Sequence, residues 1–199
     1  MSDDGEKILS GIKQLREFFV QCSLLLRTVD DQMKSEGWDV EGNKAIAYTS
    51  TSLREPKQWF PDYLYRYYRH TKKNNLLLFV SILFDDDIDG EYRTSLVQPL
   101  ITAGYLDYGS ERTANDEDQH KWTAAMYGYE GDLSTAGSIS SREIKEEDQN
   151  QDYECESFGC FGFPLVEVHN PDDILGKVVR RLIELPSLQA AKSDTPTTS

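Results

Sequence analysis

The densest group of carboxylates in the sequence directly follows an apolar run. Residues 76–84 are mostly apolar, and they lead into Asp85-Asp86-Asp87-Ile88-Asp89-Gly90, the aspartate cluster. In this spacing alternate carboxylates turn toward one centre, and the glycine permits a sharp bend between them. Oxygen ligands of this kind bind hard divalent cations. The segment predicts a Ca²⁺ or Mg²⁺ site at Asp85, Asp87 and Asp89, and its alternative is a solvated acidic turn at the end of a strand.

The aspartate cluster resembles the first half of an EF-hand calcium loop. The resemblance ends after six residues, because the twelfth loop position is Leu96 rather than a bidentate glutamate. The apolar run before the cluster favours a buried strand, whereas an EF-hand loop follows a helix. A cation site here would therefore be linked to a strand and would not be an EF-hand.

Basic and aromatic residues are concentrated between Trp59 and Lys73. Read as a helix from Pro61 to Thr71, this segment places tyrosines one turn apart, with arginines available to contact phosphates or a partner. One alternative is an amphipathic helix with aromatic core residues and a basic outer face. Another is that the basic residues dock against the chain's own aspartate cluster, Asp85–Asp89. The candidates for partner binding are Tyr63, Arg66, Tyr67 and Arg69.

Other combinations of reactive residues are incomplete. Cys155 and Cys160, with His169 beyond them, lack the short cysteine spacing and the fourth ligand of a structural zinc site. Glu143 and Lys145 form half of a metal-nuclease motif, for which the aspartate cluster would supply metal ligands. The chain has no nucleophile-elbow, P-loop or zinc-protease motif.

The acidity of the chain is confined to its middle. The 199 residues include 21 Lys+Arg and 35 Asp+Glu, which gives a formal net charge of −14. Residues 76–170 carry 5 basic and 20 acidic side chains, whereas residues 1–75 carry 12 and 11. A field of this sign repels nucleic acid and anionic membranes and attracts cations or basic proteins. The charge therefore favours a basic protein as partner and opposes nucleic acid.

The compartment is predicted from the cysteines and the N-terminus. The chain has three cysteines, an acidic first segment and no apolar run of membrane-spanning length. An odd, small number of cysteines without a basic secretory segment is typical of a reduced environment. We expect a cytoplasmic protein with no membrane segment.

A long N-terminal helix is predicted over residues 6–36. Its apolar residues recur at alternating intervals of three and four from Ile8 to Met33, and Gly37 ends it. Additional apolar residues in the middle turns favour packing on a sheet or on several helices. The heptad spacing leaves a homodimer through this helix as the alternative.

Another helix is predicted near the C-terminus. Asn170 caps it, Pro171 occupies its first turn and Pro186 ends it. Residues 187–199 are predicted to form a disordered tail. The segment 130–157, rich in small and acidic residues, is predicted to form a mobile acidic loop.

The remaining patterns predict a strand over 76–84, a short helix over 94–103, and further strands over 45–50, 105–108, 121–129 and 161–168. Together the elements predict a single α/β (or α+β) domain over residues 1–186. In this fold a small mixed sheet is covered by the long N-terminal helix and the C-terminal helix.

These features favour a non-enzymatic cytosolic binding or regulatory protein whose acidic face engages a basic protein partner, in the manner of an inhibitor or immunity protein. One alternative is a divalent-metal-dependent enzyme that acts on phosphate esters through Asp85, Asp87 and Asp89. Another is an acidic mimic of nucleic acid, which needs carboxylates spaced along a surface.

Overall fold

The computed structural model describes residues 2–42, 45, 49, 52–54, 60–61, 63–84, 98–109, 139–143 and 155–193. Within these residues a long helix, α1, spans Ser2–Ser35. The strands are β1 Asp39–Val40, β2 Tyr63–His70, β3 Lys73–Leu83, β4 Leu100–Asp107, β5 Ile139–Glu143 and β6 Ser157–Pro164. After a 3₁₀ turn at Leu165–Glu167, a C-terminal helix, α2, runs through three consecutive stretches: Pro171–Asp173, a π-helical Ile174–Val179, and Arg180–Ser193.

The described strands form one sheet in the order β1-β2-β3-β4-β6-β5, and every neighbouring pair is antiparallel. The prediction of a mixed sheet is therefore wrong for these strands. Parallel neighbours need a long crossover, usually a helix, whereas β2 and β3 are joined by two residues. With α1 before the strands and α2 after them, the fold is a single α+β domain, which confirms the predicted fold class.

The helix predicted from Pro61 to Thr71 is wrong, because residues 63–70 form β2. Four of these eight residues are tyrosines, which suit the pleated surface of a sheet. The apolar run after the turn becomes β3 and supplies an antiparallel partner along the whole length of β2. The backbone groups of the segment are thus satisfied by strand pairing rather than within a helix.

The short helix predicted over 94–103 is also wrong where it is described, because β4 begins at Leu100. Gly104 lies inside this strand, where a side chain would collide with the Gly159 carbonyl oxygen of β6 and the Phe79 ring of β3. The strand predicted over 105–108 is confirmed as far as Asp107, where β4 ends. The strand predicted over 161–168 is confirmed as far as Pro164, where β6 ends.

The acidic segment 130–157 contributes to the sheet at its described residues. Ile139–Glu143 pairs with β6, Cys155 is buried, and Ser157 begins β6. An edge strand is held by backbone hydrogen bonds, so a polar composition does not prevent it. The mobility of the rest of this segment stays a prediction outside the described residues, as does the strand over 121–129. Most of the strand predicted over 45–50 also lies outside them.

The long N-terminal helix is confirmed, and Gly37 follows it with a positive φ of 84°. The start of α2 is also confirmed: the Asn170 side chain accepts a hydrogen bond from the backbone N–H of Asp173 at 2.9 Å. Its predicted end is wrong, because the helix continues past Pro186 to Ser193. Residues 187–193 are therefore helical rather than tail. No described helix has the length and apolar character needed to cross a membrane.

Both faces of the sheet are buried. The face under α1 and α2 carries one apolar cluster, which includes Leu78, Val80, Ile101 and Phe161. The opposite face carries a second cluster, which includes Tyr63, Tyr65, Tyr67, Phe79 and Cys160. Successive side chains of each strand therefore enter different clusters, as the pleat requires.

Candidate protein-interaction surface

One apolar stripe runs along α1, and the domain covers only its second half. The stripe residues of the second half are 0–4% exposed: Cys22, Leu26, Val29 and Met33. In the first half the same stripe continues through Ile8, Ile12 and Leu15, which are 66%, 43% and 42% exposed. We call these three residues the open stripe.

The open stripe is uncovered because α1 is longer than the sheet and extends beyond its end. A helix of 34 residues is about 51 Å long, whereas the 11 residues of β3, the longest described strand, span about 37 Å. Every residue from position 4 to position 17 is exposed. The first four turns of α1 therefore project beyond the core without burying their apolar side.

An aromatic cluster lies where α1 meets the sheet. Ring-centroid distances of 5.4–5.9 Å link its four members, which are Phe18, Phe19, Phe60 and Phe84. Phe60 is 38% exposed and the other three rings are half-buried. Because Leu15 lies one turn before Phe19, this cluster extends the open stripe. Aromatic rings presented in this way are typical of the centre of a protein interface.

Arg66, one of the two arginines predicted to contact a partner, pairs with an acidic residue inside the domain. The Arg66 Nε donates to both carboxylate oxygens of Asp30 at 3.0 Å, and its Nη2 lies 2.8 Å from Asp30 Oδ2. The Tyr68 hydroxyl donates to Asp30 Oδ1 at 2.8 Å. Burial, together with the negative charge of Asp30, raises the pKa of Tyr68 well above its usual value. This network joins α1 to β2, and its Tyr68 hydroxyl stays protonated at neutral pH.

The other three candidates do not form an exposed surface with Arg66. Tyr63 and Tyr67 face the side of the sheet opposite to α1 and are 2% and 3% exposed. Arg69 pairs with Glu41 at 2.9 Å. The helical arrangement that would have grouped these four side chains is wrong, because a strand sends alternate residues to opposite faces. Partner binding by them stays a prediction, which the burial of three of them opposes.

The predicted Ca²⁺ or Mg²⁺ site at Asp85, Asp87 and Asp89 lies outside the described residues and stays a prediction. Within the described ranges no group of three histidine, cysteine or acidic residues is placed to hold a metal ion. Cys155 and Cys160 are both buried, and neither forms a disulfide.

Sequence reasoning missed the aromatic cluster. Its members come from α1, from the residue before Pro61 and from the end of the apolar run, and only the folded sheet brings them together. The available signal was local: Phe18 widens the apolar side of α1 beyond the heptad stripe. That width indicated an additional contact without identifying Phe60 or Phe84.

Neither a protein-family model, nor a curated protein, nor a solved structure matches this chain at a significant level. The case for a function therefore depends on the surface itself.

Proposed function

We propose that this is a non-enzymatic binding protein that docks a basic protein partner on the open stripe and the aromatic cluster. The observation that carries the proposal is the uneven burial of one stripe: Val29 is fully buried under the sheet, whereas Ile8 is 66% exposed. A single helix face that is core in one half and surface in the other is suited to joining this domain to another protein.

The free energy of helix formation favours a bound partner on the open stripe. Isolated helices shorter than about 12–15 residues are marginal in water, and packing of an apolar side supplies most helix stability in proteins. The projecting turns also contain Gly5 and Gly11, each of which costs a helix about 1 kcal/mol relative to alanine. Burying an exposed isoleucine or leucine side chain contributes about 1.5–3 kcal/mol. A partner would therefore stabilise these turns by several such contributions.

The charge of the chain supports a basic partner. The net charge is −14, and the acidic middle of the chain begins directly after Phe84 with the aspartate cluster. Complementary charge accelerates encounter and rejects partners of like charge. A cytosolic inhibitor or immunity protein would combine an apolar docking surface with such a field. None of the three cysteines forms a disulfide, which is consistent with a reducing compartment.

A photo-crosslinking amino acid placed on α1 tests the proposal in the producing cells. Placed at Ile12, it should give one defined protein adduct whose partner, identified by mass spectrometry, is basic. Placed at Leu24, which is 48% exposed but lies on another side of α1, it should give none. Adducts in equal yield at both positions, or at neither, would contradict the proposal.

A further inference from the structure

We infer that the partner presents a basic amphipathic α-helix, which lies along the open stripe and reaches the aromatic cluster at one end. This inference rests on the proposed function and identifies the element that is bound.

The spacing of the surface fits a helix. Ile8, Ile12, Leu15 and Phe19 follow one another at intervals of four, three and four. This heptad order forms the holes into which the side chains of a second helix insert. An extended peptide instead needs free backbone groups at a sheet edge. The side of α1 offers none, because its backbone groups bond along the helix.

Gly11 gives a second helix room to approach. It lies between Ile8 and Leu15 in sequence, and apart from its chain neighbours and the adjacent helix backbone no heavy atom comes within 4 Å of the position its Cβ would occupy. Alanine there would therefore suit the free domain and would raise helix propensity by about 1 kcal/mol. A missing side chain beside an apolar stripe lets another helix axis come close, toward the lower end of the usual range of about 8–10 Å.

Charge favours a basic helix over a second copy of this chain. Two copies would each carry −14 and would repel one another. The projecting part of α1 has no net charge, with three acidic and three basic residues between positions 4 and 17. The preference for lysine or arginine is therefore expected at the end of the partner helix that meets the aromatic cluster, where the chain continues from Phe84 into aspartates.

Labelled peptides of three heptads test the inference by fluorescence anisotropy. Each has leucine at the a and d positions; two versions carry four lysines at the N-terminal or the C-terminal end, and matched versions carry glutamates there. We expect one lysine peptide to bind at least about tenfold more tightly than its glutamate counterpart. The difference should shrink when salt is raised from about 0.05 M to about 0.5 M, since salt screens exposed charges.

Matched double variants locate the binding site. Ile12→Asn/Leu15→Asn removes apolar groups from the open stripe and should weaken peptide binding at least about tenfold. Val20→Asn/Leu24→Asn alters residues that are equally exposed, 50% and 48%, but project from another side of α1, and should bind as the wild type does. Gly11→Leu should weaken binding while leaving the melting temperature of the free chain unchanged or higher.

Any of five results would overturn the inference. Equal binding of lysine and glutamate peptides would show that the partner helix need not be basic. Equal losses of peptide affinity in both double variants would show that the open stripe is not the binding site. Sedimentation showing a wild-type dimer that only Ile12→Asn/Leu15→Asn disrupts would assign the stripe to a second copy. A crosslinked partner at Ile12 without peptide binding would reject the helix yet keep the proposed function, and failure of both assays would reject both.

Discussion

Arg66 of β2 and Asp30 of α1 form a bidentate ion pair where the helix crosses the sheet. The three nitrogen–oxygen distances are 2.8–3.0 Å, and the two side chains are 10% and 20% exposed. The Tyr68 hydroxyl completes the contact from the same strand. Because the pair is largely buried and geometrically constrained, it fixes which side of α1 faces the sheet. It thereby sets the direction of the open stripe.

Breaking the Arg66–Asp30 pair should destabilise the domain much more than breaking the more exposed Arg69–Glu41 pair. Arg66→Ala or Asp30→Ala leaves a partly buried charge without its partner and should lower the free energy of unfolding by about 3 kcal/mol. The double variant should cost less than the two single changes together, with a coupling energy of about 1–3 kcal/mol. Arg69→Ala, which breaks the more exposed pair with Glu41, should cost less than about 1 kcal/mol. Urea unfolding measures all four, and equal effects of the two arginine variants would refute the assignment.

Two glycines should respond to alanine with opposite signs. A Cβ on Gly104 would lie 2.7 Å from Cζ of Phe79 and 2.8 Å from Cβ of Cys160, so Gly104→Ala should destabilise the domain by about 1–3 kcal/mol. Gly11 has open space around it in a helix, and Gly11→Ala should stabilise the free chain by up to about 1 kcal/mol. Calorimetric melting of the two variants beside the wild type checks both signs. A higher melting temperature for Gly104→Ala would show that the sheet has room there.

The elements that sequence predicts correctly are those with one dominant signal. The heptad of α1 extends over eight apolar positions, and the Asn170–Pro171 cap is specific to a helix start. The segment of β2 has no such signal. Tyr63 and Tyr67 are spaced for one side of a helix, and Tyr63, Tyr65 and Tyr67 are spaced for one face of a strand. Since both faces of β2 are buried, its pattern is nearly continuous and periodicity does not separate the two structures.

The candidate surface was only half visible in the sequence. The heptad identified the apolar side of α1 but not the point at which the sheet stops covering it, because that point depends on how far β3 and its neighbours extend. Phe60 and Phe84 lie 24 positions apart and join Phe19 only through strand pairing. Long-range contacts of this kind leave no periodic trace in a sequence.

Pro186 should be a site where alanine stabilises the protein. It lies inside α2, where proline lacks the N–H for a helical hydrogen bond and its ring crowds the preceding turn. The helix persists because Leu182 and Leu185 are fully buried beside it. Pro186→Ala should raise the free energy of unfolding by about 1–3 kcal/mol, less than the full helix penalty because proline also restricts the unfolded chain. Ser187→Ala, one exposed position later, should change it by less than about 0.5 kcal/mol, and an equal effect of both in urea unfolding would contradict the role of the ring.

The buried thiols should report how α1 is attached. Burial raises the pKa of Cys22 to about 11 and that of Cys160 to about 12, from a usual value of 9.0. Because the fold favours the protonated thiols, their contribution to stability is complete below pH 9 and is lost as the pH rises from 9 toward 11–12. At a pH of about 8.5 both thiols of the native chain should therefore react with iodoacetamide at least about 100-fold more slowly than in the unfolded chain.

The labelling rates of the same two thiols distinguish detachment of α1 from opening of the sheet. Cys22 lies on the buried side of α1, in the cluster between the helices and the sheet, whereas Cys160 belongs to the cluster on the opposite face. If the pair between Arg66 and Asp30 holds the helix in place, Asp30→Ala should accelerate labelling of Cys22 by a larger factor than labelling of Cys160. Peptide mass spectrometry resolves the two rates in one sample. Equal acceleration of labelling at both thiols would mean that the ion pair stabilises the whole domain rather than the attachment of α1 to the sheet. The direction of the open stripe would then depend on the apolar contacts of Leu26, Val29 and Met33.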